Sequence, residues 1–256
     1  MKKIVYISVF ICLAACSSSN NEQKNAISVP LDHYKNINPR LAECIKAHGG
    51  LEQWKKFGTL KFQNGKIRNT LNLRNRNETF TNDSTFTVGY HDGQVWVQPD
   101  STAYPNAKFY RNLYFYFFAL PFVAADQGVH QEDLGQRVFN GVTYDLIKLS
   151  YGTDIGDSPD DQYILYINTQ SNQLELINYS VTYFDKNRKE NYNALVYRDW
   201  QEVNGLLVPT GFDGYIWEND TLGKKRYQTD FTNVSFLQET PEESLFQTPE
   251  GSFIFK

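Results

Sequence analysis

The sequence predicts a mainly β domain of the α+β class. Antiparallel strands roll toward a barrel or a large curved sheet, with helices packed in or over its concave face. Three observations carry this. Five dipeptides, Asn64-Gly65, Asp92-Gly93, Asn140-Gly141, Asn204-Gly205 and Asp213-Gly214, can supply the positive φ angles of tight hairpin turns. Short β-rich runs lie between them, the pattern of an antiparallel meander. The segment Asn106–Val123 is apolar nearly all round from Leu113 onward, so it needs cover on more than one side.

The elements follow in chain order. Met1-Lys2-Lys3 and the 12 residues from Ile4 to Ala15, apolar but for Ser8, have the make-up of a secretory signal over residues 1–15. A membrane-spanning helix needs about 20 residues, so this run is too short to remain one. Ser17 to Asn25 offers no apolar surface to offset its ordering entropy, and residues 16–35 are expected to form a flexible tether. A single domain is expected over residues 36–256.

Asn38-Pro39 opens a helix, with Asn38 as N-cap and Pro39 at the first helical position. Leu41, Cys44, Ile45 and Ala47 repeat at helical spacing, and His48-Gly49-Gly50 ends the helix. A second short helix, Leu51 to Phe57, puts Leu51, Trp54 and Phe57 on one stripe. Strands follow. Arg74 and Arg76 are expected to share a strand face, within a solvated basic patch that includes Lys61, Lys66 and Arg68. Gly93 to Val97 and Val142 to Leu149 read as strands. Tyr163 to Ile167 is apolar on both faces and belongs at the centre of the sheet. From Leu174 the alternation slips near Ile177, which marks a bulge or bend. Asn191–Trp200 and Lys224–Phe236 complete the set. Within Asn106–Val123, a helix would place Phe109, Leu113, Phe117 and Leu120 on one face and Tyr110, Tyr114, Phe118 and Phe122 on the next. Pro121 would end it.

Composition excludes some functions. The formal charge of −4 becomes −6 once Lys2 and Lys3 leave with the signal, which argues against nucleic acid and against a basic membrane-docking patch. Of the three cysteines, Cys44 alone remains inside the domain, so no intrachain disulfide is expected there, and it reads as a buried, inert thiol. There is no G-x-S-x-G elbow, P-loop, dinucleotide fingerprint or H-E-x-x-H, and the four histidines have no ligand spacing. Asp154, Asp157, Asp160 and Asp161 form a dense acidic group. Hard oxygens at this density could hold calcium, but the spacing is not that of an EF-hand, and a solvated loop is the simpler reading. No cofactor is implied.

Leu13-Ala14-Ala15-Cys16 resembles the lipobox of bacterial lipoproteins. The resemblance implies cleavage before Cys16 and acylation of that cysteine, which becomes the lipid attachment site. It places the protein in the cell envelope, most naturally at the outer membrane on its periplasmic face or at the cell surface.

Further stretches resemble uncharacterised envelope lipoproteins related to the lipoprotein carriers LolA and LolB. They are Ala47-His48-Gly49-Gly50 with Trp54, Tyr116–Phe122, Asp157–Ile167, Asp199–Gly205, and Phe231–Phe236 with Leu245-Phe246. The resemblance implies a half-open barrel, its curved antiparallel sheet wrapped around helices, with an apolar cavity for acyl chains. An anchored chain is closer to LolB than to the soluble LolA, although LolB's protruding apolar loop has no match here.

The leading expectation is therefore a lipid-anchored, non-catalytic protein that binds an acyl chain or a lipoprotein. Trp54, Trp96, Phe115, Phe118, Phe122, Trp200 and Trp217 are the residues expected to line the cavity. Two alternatives stay open. One is a structural or assembly lipoprotein that binds a protein partner, and the other is an envelope hydrolase whose site leaves no trace in the sequence.

Overall fold

Two meanders join edge to edge in the computed structural model, which describes residues 33–83, 85–152 and 160–255. The first runs through β1 (Thr59–Asn64), β2 (Ile67–Asn72), β3 (Glu78–Asn82), β4 (Phe86–His91) and β5 (Gln94–Gln98). The second runs through β6 (Val129–Phe139), β7 (Val142–Tyr151), β8 (Tyr163–Asn168), β9 (Leu174–Tyr179), β10 (Asn193–Val203), β11 (Leu206–Glu218) and β12 (Thr221–Leu237). Pairing of β1 with β12 makes them one antiparallel sheet, and β13 (Phe253–Phe255) adds to β5 at the outer edge. The 13 strands lie in the order β13-β5-β4-β3-β2-β1-β12-β11-β10-β9-β8-β7-β6.

β5 and β6 are thus near opposite edges, so the chain between them has to cross the sheet. That crossing is the aromatic segment. Phe118 stacks on Phe62 of β1 at 5.0 Å, while its neighbour Phe117 meets Tyr163 of β8 at 6.4 Å. Five strand spacings separate β1 from β8, about 24 Å on a flat sheet. Adjacent residues can reach both only if the sheet curls around them. The expected curved, open sheet with helices in its concave face is what forms.

Local signals explain most elements. Asn38 caps α1 (Pro39–Ala47) by accepting the Arg40 amide at 2.9 Å. Gly49 and Gly50, at φ 107° and 85°, turn the chain into the short α2 (Leu51–Trp54). Four of the five dipeptides sit in hairpin turns with both residues at positive φ or with glycine supplying it: after β1, β4, β6 and β10.

The fifth does not. Asp213-Gly214 lies inside β11, where Gly214 pairs with Tyr227. A Cβ on Gly214 would come within 2.4 Å of the Tyr227 ring, so the glycine makes room for a cross-strand aromatic next to a bulge. The turn falls instead at Asn219-Asp220, φ 49° and 61°. Arg74 and Arg76 also depart from expectation. They occupy the turn between β2 and β3, not a strand face.

The aromatic segment is not one helix either. It divides into α3 (Ala107–Tyr110) and α4 (Leu113–Ala119), followed by a 3-10 turn at Phe122–Ala125. The break is at Asn112, which is left-handed at φ 65° and donates its amide to Glu78 Oε1 at 2.7 Å. Asparagine tolerates that conformation better than the aromatics around it.

Strand parity sorts the side chains. Leu165 and Ile167 of β8 face the main core with α1, α2 and α4, whereas Tyr166 belongs to a second cluster on the other face. In β5, Val95 and Val97 pack with Ala107 of α3, so Trp96 lies on the opposite face. There its Nε1 donates to the Phe246 carbonyl at 2.9 Å, and its ring covers Gly89 of β4. A Cβ at Gly89 would fall 2.1 Å from that ring, which is buried and tied by its hydrogen bond. Gly89→Ala is therefore expected to cost about 1–3 kcal/mol through overpacking. Urea unfolding checks this, and an unchanged midpoint would mean that the indole can move aside.

Candidate functional site

Between the aromatic segment and strands β6 to β8 lies a cavity of 320 Å³. The segment contributes Phe109, Leu113, Phe115, Tyr116 and Val123, and the strands contribute Val129, Tyr151 and Tyr163. At its rim, the Phe109 ring meets Tyr183 at 5.4 Å and Phe184 at 4.9 Å, and Phe184 is 64% exposed. The aromatic rim and walls set this site apart from two other clefts, of 370 and 590 Å³, which are lined mainly by charged and amide side chains.

Charged, amide and phenol groups complete the lining. Tyr116 and Tyr151 hydroxyls bond to each other. Burial pushes both phenols, and that of Tyr163, well above the ordinary tyrosine range, so all three remain protonated donors. Arg76 and Asp126 form an ion pair at 2.6 Å, with the guanidinium carbon 5.0 Å from the Phe115 ring centroid. Burial pushes the Asp126 carboxyl up, and the Arg76 charge opposes that shift. Arg111 and Lys108 also border the space. Such an arrangement can bury a chain and hold a polar head, and no histidine, cysteine or serine is among its described lining residues.

Of the seven aromatic residues expected to line a cavity, Phe115 does so. Phe118 and Phe122 are in the main core, each 1% exposed or less, and Trp54 stacks on Phe122 at 4.7 Å. Trp200 packs partly buried on that core, 4.3 Å from the His48 ring and 5.1 Å from that of Tyr197. Trp96 and Trp217 are turned away by strand parity. Trp217 sits in the outer cluster, 5.5 Å from Phe139 and 6.1 Å from Tyr166. Arg76 is the residue that the sequence reading missed. Taken as part of a basic patch, it reaches the cavity because its turn directs it there.

Cys16, Asp154 and Asp157 lie outside the described residues. Asp161 has a structural task, accepting the Thr182 amide and hydroxyl at 2.6 and 2.7 Å, and Asp160 is 3.7 Å from Lys189 Nζ. Among the described residues no group of three His, Cys, Asp or Glu could hold a metal ion. The Cys44 thiol is fully buried, and burial drives it far up.

His48 ties the corner between α1 and α2 to the sheet. Leu174 N–H donates to its Nε2 at 3.2 Å, so Nδ1 carries the proton and donates to the Leu207 carbonyl at 3.0 Å. The ring is fully buried, and burial lowers its pKa to about 4.

No family model matches the sequence, and no curated protein is significantly similar to it. Solved structures do match. A LolA superfamily protein from Nitrosomonas europaea, 9% identical, aligns over 81% of this chain and 96% of its own with a TM-score of 0.50. A DUF1329 family protein from Desulfovibrio piger, also 9% identical, aligns over 81% and 98% with a TM-score of 0.47. An outer membrane lipoprotein-sorting protein domain from Vibrio parahaemolyticus, 10% identical, aligns over 74% and 88% with a TM-score of 0.41. At 9% identity the Nitrosomonas europaea structure shows a likeness of fold: the chain has a LolA-like architecture.

Proposed function

We propose that this chain is a lipid-anchored protein of the cell envelope that holds one apolar chain in the cavity beside α4, without catalysing a reaction. The carrying observation is an aromatic-walled space of 320 Å³ within a LolA-like sheet. Its size chooses among ligands. At about 30 Å³ per water-sized group, it accommodates roughly ten or eleven such groups. That suits a single chain of medium length. Ten buried methylenes at about 0.8 kcal/mol each would contribute about 8 kcal/mol before ordering costs, enough for binding with no reactive group. The Leu-Ala-Ala-Cys16 sequence supports the anchor and the envelope address.

Native mass spectrometry of the full chain tests the reading. It is expected to release one acyl-containing ligand per protein. Val129→Trp, which fills the cavity from its half-buried β6 wall, should abolish that mass while the chain still folds. Equal occupancy in the variant would place the ligand elsewhere, and a protein isolated and reconstituted without any apolar ligand would sink the proposal.

A further inference from the structure

Arg76 is held in an unusual way for a residue on a turn. Its backbone is left-handed at φ 66°, and its amide donates to the Asn72 carbonyl at 2.9 Å. This turn directs the guanidinium over the Phe115 ring, 5.0 Å from its centroid. Nη2 donates to Asp126 Oδ2 at 2.6 Å. Nη1 is buried and has no hydrogen-bond partner among the described residues. A guanidinium stays charged under all ordinary conditions, and a buried donor on a charged group is costly to leave unsatisfied. Both residues border the cavity.

From this geometry we infer that the cavity selects a single-chain amphiphile with an anionic oxygen head, its oxygen on Arg76 Nη1 and its chain along Phe115 and Leu113. The inference rests on the chain-binding reading above and adds the chemistry of the head. A charged acceptor is favoured over a neutral one because charge-assisted hydrogen bonds are about twice as strong. Arg76, Lys108 and Arg111 stand around the space against Asp126 and Asp161. Both carboxylates are already partnered, Asp126 by Arg76 Nη2 and Asp161 by the Thr182 amide and hydroxyl. Asp126 occupies one edge of the fork and leaves Nη1 to the ligand.

Dodecanoate and dodecan-1-ol share a chain and differ in the head, so titrating the full chain with each by equilibrium dialysis at pH 8 isolates it. Dodecanoate is expected to bind about tenfold more tightly. Arg76→Gln keeps a donor and removes the charge. It should bring the ratio close to one, chiefly by weakening dodecanoate. Asp126→Asn keeps an acceptor for Nη2 and removes the competing charge, so it should raise dodecanoate affinity. This second variant supplies an independent result if Arg76→Gln does not fold. Equal affinities in the natural protein, or a fall in dodecanoate affinity in Asp126→Asn, would overturn the inference and leave the chain-binding reading in place. Binding of neither compound would overturn both.

Discussion

Phe118→Ala is expected to lose about 3–5 kcal/mol of stability, the largest effect of any single truncation in the aromatic segment. The ring is fully buried. It stacks on Phe62 of β1 at 5.0 Å with 6° between planes, and it meets Phe231 of β12 edge-on at 5.0 Å and 83°. Phe118 therefore fastens the crossing segment to both strands at the joint between the meanders. Those strands are held by their own ladders, so the sheet cannot collapse into the space left by the ring, and the cavity term adds to the lost transfer energy. A whole domain is stable by only about 5–15 kcal/mol, which makes this loss a large fraction of the total. Urea unfolding of Phe118→Ala and Phe118→Leu gives the test, with the leucine variant recovering much of the loss. A change under about 1 kcal/mol for alanine would show that the segment is not packed within the sheet.

Acid is expected to destabilise the fold through His48. In the unfolded chain its imidazole titrates near 6.5, whereas burial holds it at about 4 in the folded protein. Between those values the unfolded state binds a proton that the folded state does not. Stability from this group is complete above pH 6.5 and falls as pH drops toward 4. At about 1.36 kcal/mol per unit, the loss approaches 3 kcal/mol across that window. The structural reason is direct, since protonating Nε2 destroys the acceptor for the Leu174 amide in a fully buried site. Asp126 and Asp161 act with the opposite sign, because their raised carboxyl pKa values favour the folded state as pH falls. His48→Gln removes the histidine contribution and keeps an acceptor. Thermal unfolding from pH 7 to 4 should show a shallower acid limb in this variant, and parallel limbs would refute the assignment.

Local chemistry made much of this fold legible. Asn38-Pro39 starts a helix wherever the next residues can continue it, and the four hairpin turns with Asn-Gly or Asp-Gly pairs needed only their own backbone preferences. Asp213-Gly214 has the same local preference, but a partner strand brought Tyr227 over the glycine, and no neighbour in sequence reveals that. The break at Asn112 depends on Glu78, 34 residues away. The cavity was legible as apolar surplus in Leu113–Val123, since so much aromatic surface needed two-sided cover. Its lining was not. Tryptophans at 96 and 217 are as apolar as Phe115, and only strand parity, set by register and bulges, sends them to the other face. Arg76 was hidden for a related reason: a left-handed turn, not a periodic pattern, aims its side chain.

The pairing of β1 with β12 has a bearing on the order of events during synthesis. Thr59 finds its ladder partner at Leu237, and every strand between them is made first. Until then the early strands carry an open edge, and the aromatic crossing has cover on one flank. Closing so long a span makes assembly slow compared with chains whose contacts are local. A nascent chain caught at that stage would expose its greasiest stretch and a free ladder, the two features that most invite aggregation.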